Sequence, residues 1–338
     1  MVQGLGIEAR RVTLSVTLPP KSPGFALLTR LCFSDRCYLP IKTSVRRPAC
    51  VLLIGRREQV ATLRRGARKQ WSSVMKTIAV VNQKGGCGKT TTAVNLSVAF
   101  AESRQRVLLV DLDPQGHATI GVGRDPDEFE TTIYDTLVSP QIPVSAGITP
   151  TDHEWLDLAP ANVGLAGAEM QLRGAAGREL ILGEQLRQVS DHYDMCIIDC
   201  APTLGLLMLN ALVASTDVII PVQVHFYAFE GLKRLLETIR LLKARFHPCS
   251  ARTLGLLLTF VEDRPLYTRK IQLRLRELFG DLVFETVIHK TVRLVEAPDS
   301  GESIFTFAPD SKAAREYRAL ADEILARLRV IEPVLAGT

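Results

Sequence analysis

Eight consecutive residues, Lys84-Gly85-Gly86-Cys87-Gly88-Lys89-Thr90-Thr91, combine three glycines, two lysines and two threonine hydroxyls. Glycines at 85, 86 and 88 let a main chain approach an anion at little steric cost. Backbone N–H groups leading into a helix then hold phosphate oxygens, assisted by the helix dipole. In such a turn Lys89 reaches the β- and γ-phosphates as a point charge and the Thr90 hydroxyl ligates Mg²⁺. Cys87 is a small residue serving through its backbone, and Thr91 closes the string of nucleotide-binding candidates. Two carboxylates, Asp113 and Asp199, end the apolar segments "RVLLVDLD" and "MCIIDC", with Asp111 two residues before the first. Carboxylates suit Mg²⁺, a hard cation that prefers oxygen. The chemistry is that of a nucleotide site.

The elements that must position these groups are legible as an alternation of strand and helix. The apolar "TIAVVN" runs into the glycine turn, a helix is expected from about Lys89 to Glu102, and "RVLLVDLD" follows as a second strand, which makes a βαβ unit. Further buried strands are expected at 195–200, 217–223 and 253–260. Continuous apolar strands imply a parallel sheet covered on both faces. Ligands of open α/β sheets bind at the carboxyl ends of strands, where Asp113 and Asp199 stand. Leu232, Leu235, Ile239, Leu242 and Phe246 lie at helical spacing, as do Tyr317, Leu320, Ile324 and Leu328, so both stretches are core-facing helices. The expected class is α/β: a mostly parallel twisted sheet with helices on both faces, preceded by an irregular N-terminal extension.

That extension differs in composition from the rest. Of the 338 residues, 1–74 carry 14 Lys/Arg against 3 acids, leaving 27 against 33 for 75–338. The overall charge of +5 therefore conceals a mildly acidic body, and any DNA contact by that body needs a local basic patch. Residues 1–74 are Pro-interrupted and Arg-rich with no sustained helical period, and are expected to be disordered or untranslated. A start of translation at Met75 is the preferred reading; an organellar transit peptide and a DNA- or partner-binding arm are the alternatives. Seven cysteines without paired CxxC spacing suggest neither a disulfide framework nor a zinc site, which favours a reducing cytoplasm. No apolar run has the length of a spanning helix.

The strict phosphate-loop pattern requires glycine at position 83, where this chain has Gln83. The string Lys84–Thr91 instead resembles the deviant Walker A motif of the ParA/Soj/MinD family of P-loop ATPases, marked by its additional lysine, Lys84. The resemblance extends over about residues 75–329, and within the family to the Soj-like chromosomal ParA proteins. "VDLDPQGHATIG" is similar to the family's switch I segment, "MCIIDCAPTLG" to its Walker B and switch II segment, and "VRLVEAP" to a late nucleotide-side motif. The resemblance implies that Lys84 crosses a dimer interface to the partner's nucleotide. It also implies that Asp113 orients the attacking water and that Asp199 holds Mg²⁺ through water, with Asp111 close behind. ATP-dependent homodimers, slow ATP hydrolysis, a stimulating ParB-like centromere-binding protein and nucleoid association in the cytoplasm belong to the same expectation. Three departures stand out: His117 in place of Asn, Ala201 in place of the first Pro of a pair, and His289-Lys290-Thr291 in place of Pro-Arg-Asn. The last makes adenine contacts less secure than phosphate contacts.

Members of the ParA branch bind DNA nonspecifically as ATP dimers, and Arg240 matches a basic residue implicated in that contact. Lys233, Arg234, Lys243 and Arg245 surround it in sequence, and Arg264, Arg269, Lys270, Arg274 and Arg276 follow. Such a patch releases counterions on meeting DNA, and without interleaved aromatics it implies no base stacking. Pro333 and Gly337 are expected to break any helix beyond the fold, which argues against a C-terminal membrane helix. The alternative to a segregation ATPase is a nucleotide-switched regulatory or cargo-positioning protein that uses the same pocket.

Overall fold

The computed structural model describes residues 75–225, 228–245, 251–262 and 266–335. The 1–74 extension, Phe246, Cys249, Arg264 and Gly337 lie outside the described residues, as does the side chain of Arg245.

Among the described residues eight strands form one sheet: β1 Lys76–Val80, β2 Val107–Leu112, β3 Thr149–Pro150, β4 Leu156–Ala159, β5 Met195–Cys200, β6 Asp217–Gln223, β7 Arg252–Val261 and β8 Val283–His289. Their order is β3-β4-β2-β5-β1-β6-β7-β8. All pairs are parallel except the short β3–β4 pair. The α-helices are α1 Lys89–Glu102, α2 His117–Ile120, α3 Ile133–Val138, α4 Ala168–Gln171, α5 Ile181–Arg187, α6 Leu206–Ala214, α7 Ala228–Arg245, α8 Leu266–Phe279, α9 Arg293–Asp299, α10 Ile304–Phe307 and α11 Lys312–Leu335.

Successive side chains of a strand point to opposite faces, and this sheet buries both. In β5, Cys196, Ile198 and Cys200 join the core that receives Leu207 of α6 and Leu232, Leu235 and Ile239 of α7. Met195 and Ile197 join the other, with Leu96 and Phe100 of α1 and Tyr317, Leu320, Ile324 and Leu328 of α11. Leu242 packs on the first core, half-buried. The continuous apolar reading of the central strands follows from this two-sided cover.

The strands not anticipated from sequence are β3, β4 and β8, toward the edges. Glu285 and Thr286 interrupt the apolar run of β8, and both backbone N–H groups donate to the Glu323 carboxylate of α11 at 2.9 Å. Pro333 corrects one expectation, because α11 runs through it to Leu335. A proline so near a helix end removes a single backbone donor and ends the helix only where later turns need that bond.

Gly255 shows how tightly β7 meets β8. A β-carbon there would sit 2.4–2.8 Å from three atoms of the buried Phe284 ring, whose face is also covered by the Arg327 guanidinium at 4.2 Å. The strand register also shifts here, between Val218↔Thr253 and Ile219↔Gly255. Gly255→Ala is therefore expected to destabilise the fold by about 1–3 kcal/mol through overpacking. Urea unfolding should show a lower midpoint at unchanged slope.

Candidate nucleotide-binding site

The three central strands bring the site together through their register. Val80, at the end of β1, pairs with Asp199 of β5, and Asp199 pairs on its other side with Asp111 of β2. The chain leaving β1 is tied down by Asn82, whose Nδ2 donates to Pro221 O of β6 at 2.7 Å and whose Oδ1 accepts from Lys84 N at 3.0 Å. Gly86 and Gly88 take left-handed conformations, φ 67° and 86°, which favour glycine. At the N-terminus of α1 no side chain caps the helix, so its first N–H groups face the loop. The Thr259 hydroxyl donates to Cys87 O at 2.9 Å. Beside it Phe260 holds φ 54°, a sparsely populated state for a non-glycine residue of the kind that clusters at functional sites.

The two lysines of the loop have different environments. Lys89 is buried, and its Nζ donates to Lys84 O at 3.2 Å. Lys84 is exposed, and its Nζ reaches Gln223 Oε1 at 2.7 Å and His225 Nε2. The Cys87 thiol donates to Lys84 O at 3.2 Å. Burial pushes its pKa up against the pull of Lys89, so Cys87 stays a thiol and its backbone is what the turn uses.

The carboxylates also divide by environment. Asp199 is fully buried, and neither of its oxygens has a hydrogen-bond partner. Burial and then Asp111 push its carboxyl well above the usual carboxylate range, while the nearby Thr90 hydroxyl and Lys89 pull the other way. Asp111 is equally buried but satisfied: its Oδ2 accepts from Thr119 N and Thr119 Oγ1, both at 2.8 Å, and its Oδ1 from Asp113 N at 3.2 Å. It thereby fastens the segment 113–119 to the sheet. Asp113 sits in a turn, its Oδ1 accepting from Gln115 N at 3.0 Å, and Gly116 at φ 65° completes it. Unpartnered buried oxygens on Asp199, beside a threonine hydroxyl, fit the oxygen-seeking Mg²⁺ expected there.

A cavity of about 980 Å³ opens beside Gly88 and Thr91. Phe260, Val261, Ile288, Leu294 and Val295 supply apolar wall, and Glu262, His289, Lys290 and Glu316 supply polar groups. Val292, Leu294, Val295 and Pro298 place the "VRLVEAP" segment in that wall. The His289 ring is oriented by Glu316, 2.5 Å from Nδ1, while His289 N donates to the same carboxylate at 3.0 Å.

Sequence reasoning thus placed the loop, Asp111, Asp113 and Asp199 together. It missed Asn82, Thr119, Gln223, His225, Thr259 and Glu316. Gln223 and Thr259 stand at the carboxyl ends of β6 and β7, the edge where ligands of such sheets bind, and that signal was available. Arg240 lies apart from this group in the chain, exposed on α7, with Lys233 and Arg234 also exposed on that helix and Arg269, Lys270 and Arg274 on α8. Both helices cover the same face of the sheet. His117 is exposed at the start of α2 and Ala201 is buried after β5.

Comparison with known proteins decides the family. A family model described as an AAA domain matches residues 75–249. The sporulation initiation inhibitor protein Soj of Bacillus subtilis is 45% identical over 251 residues, covering 74% of this chain and 98% of that protein. The chain belongs to the ParA/Soj/MinD family of P-loop ATPases. Within that family the chromosome-partitioning ATPase Soj of Thermus thermophilus is 43% identical over 255 residues, covering 75% of this chain and 97% of that one. A solved structure described as cobyrinic acid a,c-diamide synthase from Mycobacterium smegmatis, with bound ATP analog and magnesium, is 36% identical with a TM-score of 0.66, covering 76% and 96% of the two chains. The likeness in fold agrees with the mostly parallel, helix-covered sheet described above. No helix among the described residues is long and apolar enough to cross a membrane.

Proposed function

We propose that this chain is an ATP-dependent dimerising ATPase of the DNA-partitioning type, which binds ATP with Mg²⁺ at the 84–91 loop and DNA nonspecifically as the ATP dimer. The observation that carries this reading is the pair of lysines in one glycine loop: Lys89 is buried, with its Nζ on the loop carbonyl of Lys84, and Lys84 is exposed. Phosphoryl transfer asks for positioning and charge neutralisation rather than covalent chemistry. Backbone N–H groups of the loop and Lys89 hold the phosphates, Thr90 and Asp199 hold the cation, and Asp113 orients the attacking water. Mg²⁺ supplies charge neutralisation on the phosphate oxygens. The cavity beside Gly88 and Thr91 takes the nucleoside, with His289-Lys290-Thr291 in place of the family's usual residues. Hydrolysis that waits for a second chain's Lys84 is slow alone, and a ParB-like centromere-binding partner accelerates it. The ATPase domain is the stretch 75–338, and the dimer resides on nucleoid DNA in the cytoplasm.

The DNA arm of this reading is tested at Arg240. Binding of random-sequence duplex should require ATP, weaken steeply with salt, and fall at least about tenfold in Arg240→Glu while ATP-dependent dimerisation is retained, since a phosphate contact weakens binding uniformly across sequences. Unchanged DNA affinity in Arg240→Glu would remove this residue from the contact. A wild-type ATP dimer with no affinity for DNA would favour a regulatory or cargo-positioning protein instead.

A further inference from the structure

Lys84 is held on its own chain at both ends. Its backbone N donates to Asn82 Oδ1 at 3.0 Å, and Asn82 is in turn anchored on Pro221 O at 2.7 Å. Its Nζ donates to Gln223 Oε1 at 2.7 Å and also meets His225 Nε2. Asn82 follows β1, while Pro221 and Gln223 belong to the carboxyl end of β6 and His225 lies just beyond it. Holding an exposed, flexible lysine costs side-chain entropy, and here two uncharged acceptors converge on one ammonium group. The acceptor role requires His225 neutral at Nε2. Its pKa is lowered by burial and then by Lys84, which agrees with that role. The Lys84 carbonyl accepts from Lys89 Nζ and Cys87 Sγ, so the position of Lys84 also bears on the buried lysine of the loop.

We infer that Gln223 and His225 are positioning residues that latch Lys84 onto its own chain, and that this latch must open before the lysine can serve the nucleotide of a second copy. The inference rests on the proposed trans role of Lys84. An Nζ bonded to Gln223 and His225 cannot at the same time lie on another chain's phosphates, so the two arrangements compete for one cation. The latch sets a threshold on assembly: ATP must supply enough binding in the dimer to outweigh it.

The full chain tests this in two arms. In the first, pulse acetylation of lysines is followed by peptide mass spectrometry in wild type, Gln223→Ala, His225→Ala, the double variant and His225→Gln, with Lys233 as internal reference. The Lys84 rate should rise about fivefold for each acceptor removed, the ordinary worth of one hydrogen bond. It should stay near wild type in His225→Gln, which keeps an acceptor and also guards against misfolding of the alanine variants. In the second arm, sedimentation with ATP should show the double variant dimerising at a concentration at least about fivefold lower than wild type. Unchanged Lys84 labelling in the double variant overturns the latch, whatever the dimer does. Raised labelling with unchanged or weaker assembly overturns its control of dimerisation. A wild-type chain that stays single with ATP, with the labelling pattern as expected, overturns the trans role of Lys84 and the control of assembly with it.

Discussion

Asp199→Asn is expected to raise the melting temperature of the chain in chelator while lowering ATP hydrolysis. The stabilising half follows from burial: a carboxylate that is 0% exposed, with neither oxygen bonded and with Asp111 facing it across the strand pair, costs the fold free energy. An isosteric amide removes the charge and the repulsion. The amide is still polar, so the gain comes from the lost charge and its repulsion by Asp111, on the order of 1–3 kcal/mol, and each kcal/mol moves the midpoint by roughly 2–4 °C in a fold of this size. The functional half follows from the same orphaned oxygens, which suit a cation. Removing a group that holds a metal through its water shell costs about 10- to 100-fold in metal affinity or activity. With excess Mg²⁺-ATP the order of melting temperatures should reverse, because wild type gains about 2.7 kcal/mol at a ligand concentration 100 times its Kd and the variant gains less. A melting temperature that falls in chelator would mean that Asp199 already has a partner in solution.

Lys89→Ala should shift stability in the opposite direction. Lys89 is the buried cation acting on Asp199, against the repulsion of Asp111 and Asp113. Its removal leaves those carboxylates uncompensated, so a loss of about 1–3 kcal/mol is expected, together with a loss of about 10²–10³ in turnover, the usual consequence of deleting a preorganised charge at the reacting phosphate. Denaturant unfolding and ATPase rates measure the two effects. The sites are coupled: in the double variant with Asp199→Asn, the stability losses and gains should fail to add by more than about 0.5 kcal/mol. Lys89→Arg should not restore turnover, since a planar guanidinium cannot replace a compact ammonium under the turn. Additive effects in the double variant would place Lys89 and Asp199 in separate environments.

The parts of this fold that could be read from sequence are those where local chemistry and burial agree. Glycines at 86 and 88 needed a left-handed backbone, α1 follows them directly, and the central strands are apolar because both of their faces are covered. The edge strands were harder: β8 carries Glu285 and Thr286 because a helix carboxylate, Glu323, takes up its N–H groups, and nothing in the local pattern announces a partner 38 residues away. Pro333 misled because the rule for proline applies to helix interiors, and this proline stands in the last turn. Within the site, the three aspartates looked alike in sequence. Only the tertiary contacts separate Asp111, which Thr119 saturates, from Asp199, which no donor satisfies. Gln223 was marked only by its place at the end of β6, and His225 by nothing local, because the significance of both depends on where the Lys84 side chain lies.

The central claim is that nucleotide sets the number of chains through Lys84. Size-exclusion chromatography with light scattering on the full chain, with ADP and with ATP, tests it most directly when wild type is compared with Lys84→Ala and Asp113→Ala. The account predicts a dimer only with ATP, lost in Lys84→Ala and trapped in Asp113→Ala; a single chain in every nucleotide, or a dimer indifferent to both nucleotide and Lys84, would contradict it.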